Sequence, residues 1–235
     1  MFWRLFARMS RIALIVGSLA TALILCNSAI GQTSPTAALQ RAIAESARLN
    51  ATFPFEIEHI FEGETLRARF TPDAQPRLRL VSPATPSGLS EQQRTDFDYL
   101  VQSVDGVPWC ANQPLRHVRD VRLAREDERV AVYTFQPTAE SVTGEQTRQV
   151  VNHLRGEITI VKATQDVSQM RLYAPRPFRP APIARVESYN ITITCALAPN
   201  GRYYVAEQIR RVRASSFGRP FNVDVVRRNR IVTAQ

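Results

Sequence analysis

Short runs in which apolar and polar residues alternate recur along the chain from residue 53 onward. The clearest extends from Tyr189 to Cys195, where every second residue is apolar and the residues between are asparagine and threonine. A period of two is that of a strand with one buried face. Such runs predict strands over 53–61, 66–70, 78–80, 121–123, 130–135, 157–162, 170–173, 186–197, 203–212 and 221–226.

Turn residues separate these runs and predict antiparallel hairpins that continue as a meander. Pro199-Asn200-Gly201, for example, follows the clearest strand directly. Residues 116–125 carry an arginine at every third position, which also fits a basic helix, but their apolar residues favour a strand that turns into 130–135. Residues 137–149 and the proline-rich stretch 175–182 are predicted to be connections.

Two segments have the helical period instead. The first begins at Ser34-Pro35 and places apolar residues at helical spacing over 39–47. The second has capping-box spacing at Ser90 and Gln93, followed by apolar residues at helical spacing over 97–104. Together with the strands, they predict a mainly β fold of the α+β class, in which two helices cover an antiparallel sheet.

The first 31 residues have the order of regions typical of an export signal. Three arginines without an acidic residue precede an uncharged apolar run over 12–25, and small or polar residues follow. The apolar run is shorter than the ~20 residues of a membrane span. We therefore predict a secretory signal peptide over 1–31, cleaved before Gln32, and a single periplasmic domain over 32–235. Two alternatives stay open: an uncleaved membrane anchor and a lipoprotein signal acylated at Cys26.

Cleavage would leave Cys110 and Cys195 as the only cysteines. Export would place them in an oxidising compartment, where a disulfide is expected. The bridge would close a loop of about 86 residues, for which the chain-entropy model gives on the order of 4–5 kcal/mol as an upper estimate. Two buried free thiols are the alternative.

Composition and charge exclude several classes of protein. With 44% hydrophobic and 22% charged residues, the chain is typical of globular proteins and not of disordered ones. Its net charge is +9, and the chain from Arg202 onward holds eight arginines against Glu207 and Asp224. Because arginine suits phosphate and carboxylate, an anionic membrane surface is a candidate partner, with the solvated outer face of a sheet as the alternative. Nucleic acid is not expected, since no recognition motif is present.

The sequence carries no motif for catalysis or metal binding. His59, His117 and His153 have no second ligand at metal-binding spacing, and no serine lies in a G-x-S-x-G elbow. Glu56 and Glu58 share one face of a strand and are interpreted as its wet side. We therefore predict a non-enzymatic protein without catalytic, cofactor-binding or metal-binding residues, and without a cofactor.

The order of elements resembles the lipoprotein-localisation family of periplasmic lipoprotein carriers and outer-membrane lipoprotein receptors. The resemblance lies in Phe55 to Phe70, Val130 to Pro137 and His153 to Ile160, with the meander that follows. In that family a curved antiparallel sheet, an unclosed barrel, is covered by helices over a hydrophobic cavity that takes acyl chains. The resemblance thus implies this fold, with lipid or lipoprotein acyl chains as ligand. No position matches the family's lid-closing arginine, so no residue's role is carried over.

Geometry also indicates a cavity. Eight or more strands at about 4.8 Å make a sheet nearly 40 Å wide, whereas two helices of roughly 10 Å each cover about half of it. The sheet must curl or leave apolar surface uncovered. The predicted ligand cavity is lined by alternating apolar strand residues: Phe55, Ile57, Val132, Ile158, Ile160, Leu172, Tyr189, Ile191 and Ile193.

Two functions from different classes fit these features. The first is a binding protein that holds an apolar ligand between the sheet and the helices. The second is a structural or interaction module of the cell envelope, with a filled core and a basic face for anionic lipid or polymer.

Overall fold

The computed structural model describes residues 35–48, 52–111 and 113–232. Three α-helices are described: α1 (Pro35–Arg48), α2 (Glu91–Ser103) and α3 (Glu145–Val150). The strands are β1 (Phe55–Phe61), β2 (Glu64–Phe70), β3 (Leu78–Ser82), β4 (Arg119–Glu126), β5 (Val130–Gln136), β6 (Arg155–Val161), β7 (Asp166–Tyr173), β8 (Phe178–Ala181), β9 (Ala184–Leu197), β10 (Tyr203–Ser216) and β11 (Arg219–Ile231).

All eleven strands belong to one antiparallel sheet that does not close. Its order is β3-β2-β1-β11-β10-β9-β7-β6-β5-β4, and β8 pairs with β9 beside this path. The sheet joins two meanders, β1–β3 and β4–β11, through the pairing of β1 with β11, in which Phe55 lies opposite Ile231. The predicted fold class, a mainly β protein with an unclosed antiparallel barrel, is confirmed.

Both predicted long helices form where the sequence places them. The capping box of α2 is present: the Gln93 N–H donates to Ser90 Oγ at 3.2 Å, and the Ser90 N–H donates to Gln93 Oε1 at 3.1 Å. These bonds satisfy backbone donors that the first turn of a helix leaves free. Leu100 is the buried residue of α2, while α1 buries Leu39 and Ile43.

Two predicted connections contain regular structure. Residues 137–149 include the start of α3, which follows Gly144 at φ +83° and buries Thr147 and Val150. A helix of six residues is too short to show a helical period in the sequence. The proline-rich stretch holds β8, where Pro180 is tolerated because the strand pairs with β9 alone. The interpretation of 119–136 as a strand hairpin is confirmed, and the alternative basic helix is wrong.

One face of the sheet, here called the inner face, carries two separate apolar cores. Helix α1 packs against β4 and β7 and covers the α1 core, which includes Leu39, Ile43, Tyr133, Phe135, Ile158, Ile160, Leu172, Tyr189 and Ile191. Helix α2 packs against β2 and β3 and covers the α2 core, which includes Phe55, Ile57, Leu66, Phe70, Leu78 and Leu100.

Residues 107–111 connect the two cores at one end of the sheet. Val107 lies in the α2 core and Cys110 in the α1 core. The segment runs beside the start of β10, since the Cys110 N–H donates to the Tyr203 carbonyl at 3.0 Å and the Val205 N–H donates to that of Pro108 at 2.7 Å. The predicted disulfide between Cys110 and Cys195 is confirmed, with a Cα–Cα distance of 6.4 Å, and it attaches the segment to β9.

Candidate functional site

The nine predicted cavity residues fall into three groups. Phe55 and Ile57 are buried in the α2 core. Five others are buried in the α1 core, namely Ile158, Ile160, Leu172, Tyr189 and Ile191, and the half-buried Ile193 packs against them. Most of these side chains therefore fill the cores beneath the helices, and Ile193 alone of this set keeps partial exposure.

Val132 lies on the other face of the sheet from the rest. In β5 it alternates with Ala131 and Tyr133, which belong to the α1 core, and its partner in β6 is Thr159. The segment Val-Ala-Val-Tyr-Thr-Phe has apolar residues on both faces, so its pattern does not show which face is inward.

Between the cores, the inner face of β1, β11 and β10 is only partly covered. Three apolar residues of these strands point inward, belong to neither core and are half-buried: Phe61, Val223 and Val225. Val212 of β10 is the partner of Val223, and Ile193 of β9 lies on the far side of Gln208; both lie at the edge of the α1 core and are half-buried too. We call these five residues the central apolar strip. Among the described residues, helix packing falls mainly on the flanks of the sheet and leaves this strip between the helices.

Two arginines and a histidine lie beside the strip. Arg227 of β11 faces inward, between His59 of β1 and Gln208 of β10, which are its partners in register. Arg210 of β10 lies opposite Val225 and Ile191. We call His59, Arg210 and Arg227 the inner basic cluster.

Two buried polar atoms of the inner basic cluster lack hydrogen-bond partners among the described residues. Within the part of the chain that the structure describes, His59 Nδ1 and Arg210 Nε are buried and have no hydrogen-bond partner. Arg227 Nε donates to Asn229 Oδ1 at 3.4 Å, a long hydrogen bond. Buried polar atoms usually have a partner, so the two orphaned atoms distinguish this part of the inner face.

Burial favours the neutral form of His59, which lies beside the two arginines. Burial lowers the pKa of His59, the Asp96 carboxylate of α2 opposes this at 3.5 Å, and Arg227 and Arg210 reinforce it. Burial also lowers the pKa of Arg227, against the effect of Tyr99, but an arginine stays protonated at neutral pH. The two arginines near His59 thus carry more positive charge than the single carboxylate of Asp96 balances.

The outer face differs, because its charges are paired with one another. Glu58 accepts from Arg67 at 2.9 Å and from Arg228 at 3.0 Å, and Arg228 also donates to Glu207 at 2.9 Å. Glu56 is paired in the same way with Arg69 and Arg230. Hydrogen bonds from these arginines lower the pKa of both glutamates. A shallow cleft of about 450 Å³ lies over this ladder, and the interpretation of both glutamates as the wet side of a strand is confirmed.

The basic end of the chain is divided between the two faces and the interior. Five of its arginines are exposed: Arg211, Arg213, Arg219, Arg228 and Arg230. The alternative of a solvated outer face does not hold for the other three, since Arg210 and Arg227 point inward and Arg202 is buried. Sequence reasoning missed the inner basic cluster; the one available signal was that His59 falls on the apolar side of its strand.

Exposed apolar residues gather at the end of the sheet where β8 turns into β9 and β10 into β11. Phe217 is 77% exposed, Ile183 50% and Phe221 47%. The Phe217 N–H donates to the Ile183 carbonyl at 2.9 Å, so the two turns are joined. Arg179, Arg185, Arg213 and Arg219 are exposed around them. We call this region the basic apolar tip.

The predicted signal peptide and the acylation alternative at Cys26 lie outside the described residues. In the described ranges, no helix is long and apolar enough to cross a membrane. In those same ranges, no group of three or more histidine, cysteine, aspartate or glutamate residues is placed to hold a metal ion.

The fold and the site define an open antiparallel sheet with a partly covered inner face. Distantly similar solved structures include a DUF1329 family protein and two structures of MucB with MucA. A DUF1329 family protein from Desulfovibrio piger has 10% identity and a TM-score of 0.34, over 84% of this chain and 92% of that one. MucB in complex with MucA(peri) has 12% identity and a TM-score of 0.25, over 86% of this chain and 100% of that one.

A structure of Pseudomonas aeruginosa MucA/MucB has 11% identity and a TM-score of 0.24, over 86% of this chain and 100% of that one. No protein-family profile and no curated protein matches the chain. At such identities and TM-scores the similarities give no information on a ligand.

Proposed function

We propose that this chain is a non-enzymatic binding protein of the periplasm that holds an acyl chain, free or carried by a lipoprotein, against the inner face of its sheet. The observation that carries the proposal is the central apolar strip. It lies between two filled cores, on the face that both helices cover, and its side chains are half-buried.

The strip suits an acyl chain in dimension and in energy. It spans β1, β11, β10 and β9, which are neighbours in the sheet. Three strand spacings of about 4.8 Å give a path of roughly 14 Å. An extended chain of about twelve carbons has that length, and each CH₂ that leaves water contributes about 0.8 kcal/mol.

Two features support the envelope location. The order of regions in residues 1–31 is that of an export signal. The Cys110–Cys195 disulfide fits an oxidising compartment.

The test is uptake of parinaric acid, a fluorescent fatty acid, by variants of one strand. Ile193→Glu places a carboxylate at the edge of the strip, diagonally across from Arg210. It should weaken binding by at least about tenfold, because the carboxylate must be desolvated beside the acyl chain and competes with the fatty acid for Arg210. Thr192→Glu is the matched control: it changes the neighbouring residue, which points to the outer face beside Arg171, and should bind as the wild type does. Circular dichroism checks that both variants fold. If the wild type and both variants bind parinaric acid with equal affinity, the acid does not bind on the central apolar strip.

The basic apolar tip supports a second candidate, the interaction module for anionic lipid. Apolar side chains enter the interfacial region of a bilayer, and arginines near the surface contribute about 1 kcal/mol each with anionic lipid. Phe217 adopts φ +50°, which is unfavourable for an aromatic residue, and yet its ring is exposed. Among the described residues, that ring belongs to neither apolar core.

Vesicle co-sedimentation tests the tip. Wild-type protein should bind phosphatidylglycerol vesicles and leave phosphatidylcholine vesicles unbound, with binding weakened by salt. Phe217→Asn should reduce binding severalfold without loss of stability, since asparagine tolerates positive φ. Leu197→Asn is the control, because Leu197 is 59% exposed at the end of β9 that lies opposite to the tip. If both variants bind as the wild type does, the tip is not the contact.

A further inference from the structure

We propose that Arg210 and Arg227 form an anion subsite on the inner face, which binds the carboxylate or phosphate head of the ligand whose chain lies on the central apolar strip. The inference rests on the proposed function and deepens it, since it assigns the ligand an acidic head group and fixes where that head lies.

The two arginines are placed to bind one anion together. Gln208 is the partner of Arg227 in register, and Arg210 lies two residues further along β10. Arg210 and Arg227 are therefore diagonal neighbours on adjacent strands, roughly 7–8 Å apart at the backbone. Arginine side chains reach across that distance, and two guanidinium groups can donate to the oxygens of one carboxylate or phosphate.

The side chains of Arg210 and Arg227 point to the inner face, which is unusual in a hairpin whose other arginines are exposed. Each has an arginine as its next neighbour in the chain, Arg211 and Arg228, and both neighbours are exposed and paired with carboxylates on the outer face. Because successive residues of a strand point to opposite faces, Arg210 and Arg227 point inward. The pairs Arg210-Arg211 and Arg227-Arg228 thus offer one arginine to each face.

The charge of the subsite is not balanced by the described residues that face it. Asp96 is the one carboxylate that contacts the cluster among the described residues, and it lies at 3.5 Å from His59 Nε2. Against it stand two guanidinium groups, one of which has a buried Nε without a partner. A buried cation without a partner is costly, and an anion at this position would supply both the missing charge and the missing acceptor.

The residues around the two arginines place the ligand's head group next to the strip that binds its acyl chain. Val225, a residue of the strip, lies directly opposite Arg210, and Ile193 is the β9 partner of Gln208, which lies beside Arg227. An amphiphile with its head between the arginines therefore places its first methylene groups on the strip. An acid with an apolar tail satisfies both parts of this surface, whereas an inorganic anion satisfies only one.

The experiment compares parinaric acid with its methyl ester, which has the same chain and no charge. Wild-type protein should bind the acid more tightly by about tenfold or more, the range expected of hydrogen bonds to charged groups. In R210M/R227M the preference should fall to about one through weaker binding of the acid, while the ester is held as before. R211M is the matched control and should keep the preference of the wild type.

The outcomes separate the subsite from the binding function. Equal affinity of the wild type for acid and ester, or an unchanged preference in R210M/R227M, overturns the subsite while the binding function stands. Binding of neither probe overturns both. A structural role for the arginines would instead lower the affinity for both probes together and reduce thermal stability.

A displacement series identifies the head group. Dodecanoate, dodecyl phosphate and dodecanol share one chain length and differ in the head. If dodecanoate displaces bound parinaric acid at the lowest concentration, the natural head group is a carboxylate. If dodecyl phosphate does so, the head group is a phosphate. Displacement by dodecanol as effective as that by both anions contradicts the subsite.

Discussion

Replacing Cys110 and Cys195 together by alanine should lower the free energy of unfolding by about 4 kcal/mol, with 4–5 kcal/mol as the upper estimate of the chain-entropy model. The bond joins residues 85 positions apart, so its loss releases a long loop in the unfolded chain. It also frees residues 107–111, which connect the two cores, from β9. Urea unfolding of the oxidised wild type and the double variant measures the difference.

The control is the wild type itself with its disulfide reduced, which should unfold at the same urea concentration as the double variant. A shift of less than about 1 kcal/mol would show that the non-covalent contacts of 107–111 hold this segment without the bond.

Replacing Arg202 by methionine should destabilise the fold by about 3–5 kcal/mol at neutral pH. Arg202 is 4% exposed and lies 4.0 Å above the ring of Trp109. It also attracts the buried Asp166 carboxylate, which accepts from the N–H groups of Val167 at 2.7 Å and Tyr203 at 3.1 Å. Without Arg202 this carboxylate keeps its burial and loses a compensating charge.

The stability lost in Arg202→Met should be smaller at acidic pH than at neutral pH. Burial raises the pKa of Asp166, and Arg202 acts in the opposite direction, so the substitution raises this pKa further. A carboxyl group with a raised pKa in the folded state takes up a proton as the pH falls, and the fold then gains stability relative to neutral pH. R202M should therefore be less destabilised near pH 4 than at pH 7.

Two comparisons check this account of Arg202. Arg202→Met combined with Asp166→Asn should recover much of the loss, because no unpaired charge is left buried. Arg211→Met, at an exposed position of the neighbouring strand, should change stability by less than about 0.5 kcal/mol. A loss of the same size at pH 4 and pH 7 would show that packing on Trp109, and not the charge of Asp166, decides the effect.

Local sequence signals predicted the elements well, since each signal has a local cause. The alternation from Tyr189 to Cys195 predicted β9, and the spacing of Ser90 and Gln93 predicted the capping box of α2. The pairing of β1 with β11 has no such signal, because it joins residues some 170 positions apart, such as Glu58 and Arg228. Only the folded sheet shows that the pairing of β1 with β11 brings the α2 core beside the basic end of the chain.

The inner basic cluster could not be predicted for a related reason. In β10, Tyr203 and Val205 point inward, and strict alternation would then place Arg211 inside and Arg210 outside. A bulge between Val205 and Glu207 reverses this order, so that Arg210 becomes the inward residue. In β11, Val225-Val226 and Arg227-Arg228 offer the same residue to both faces, and their pattern does not distinguish inside from outside.

The most direct test of the central claim is to extract the purified wild-type protein with organic solvent and to measure acyl lipid by mass spectrometry. We predict close to one acyl-chain ligand per protein molecule, a large fall in the Ile193→Glu variant and no fall in Thr192→Glu. A wild-type extract with no more acyl lipid than that of Ile193→Glu would contradict a ligand on the inner face.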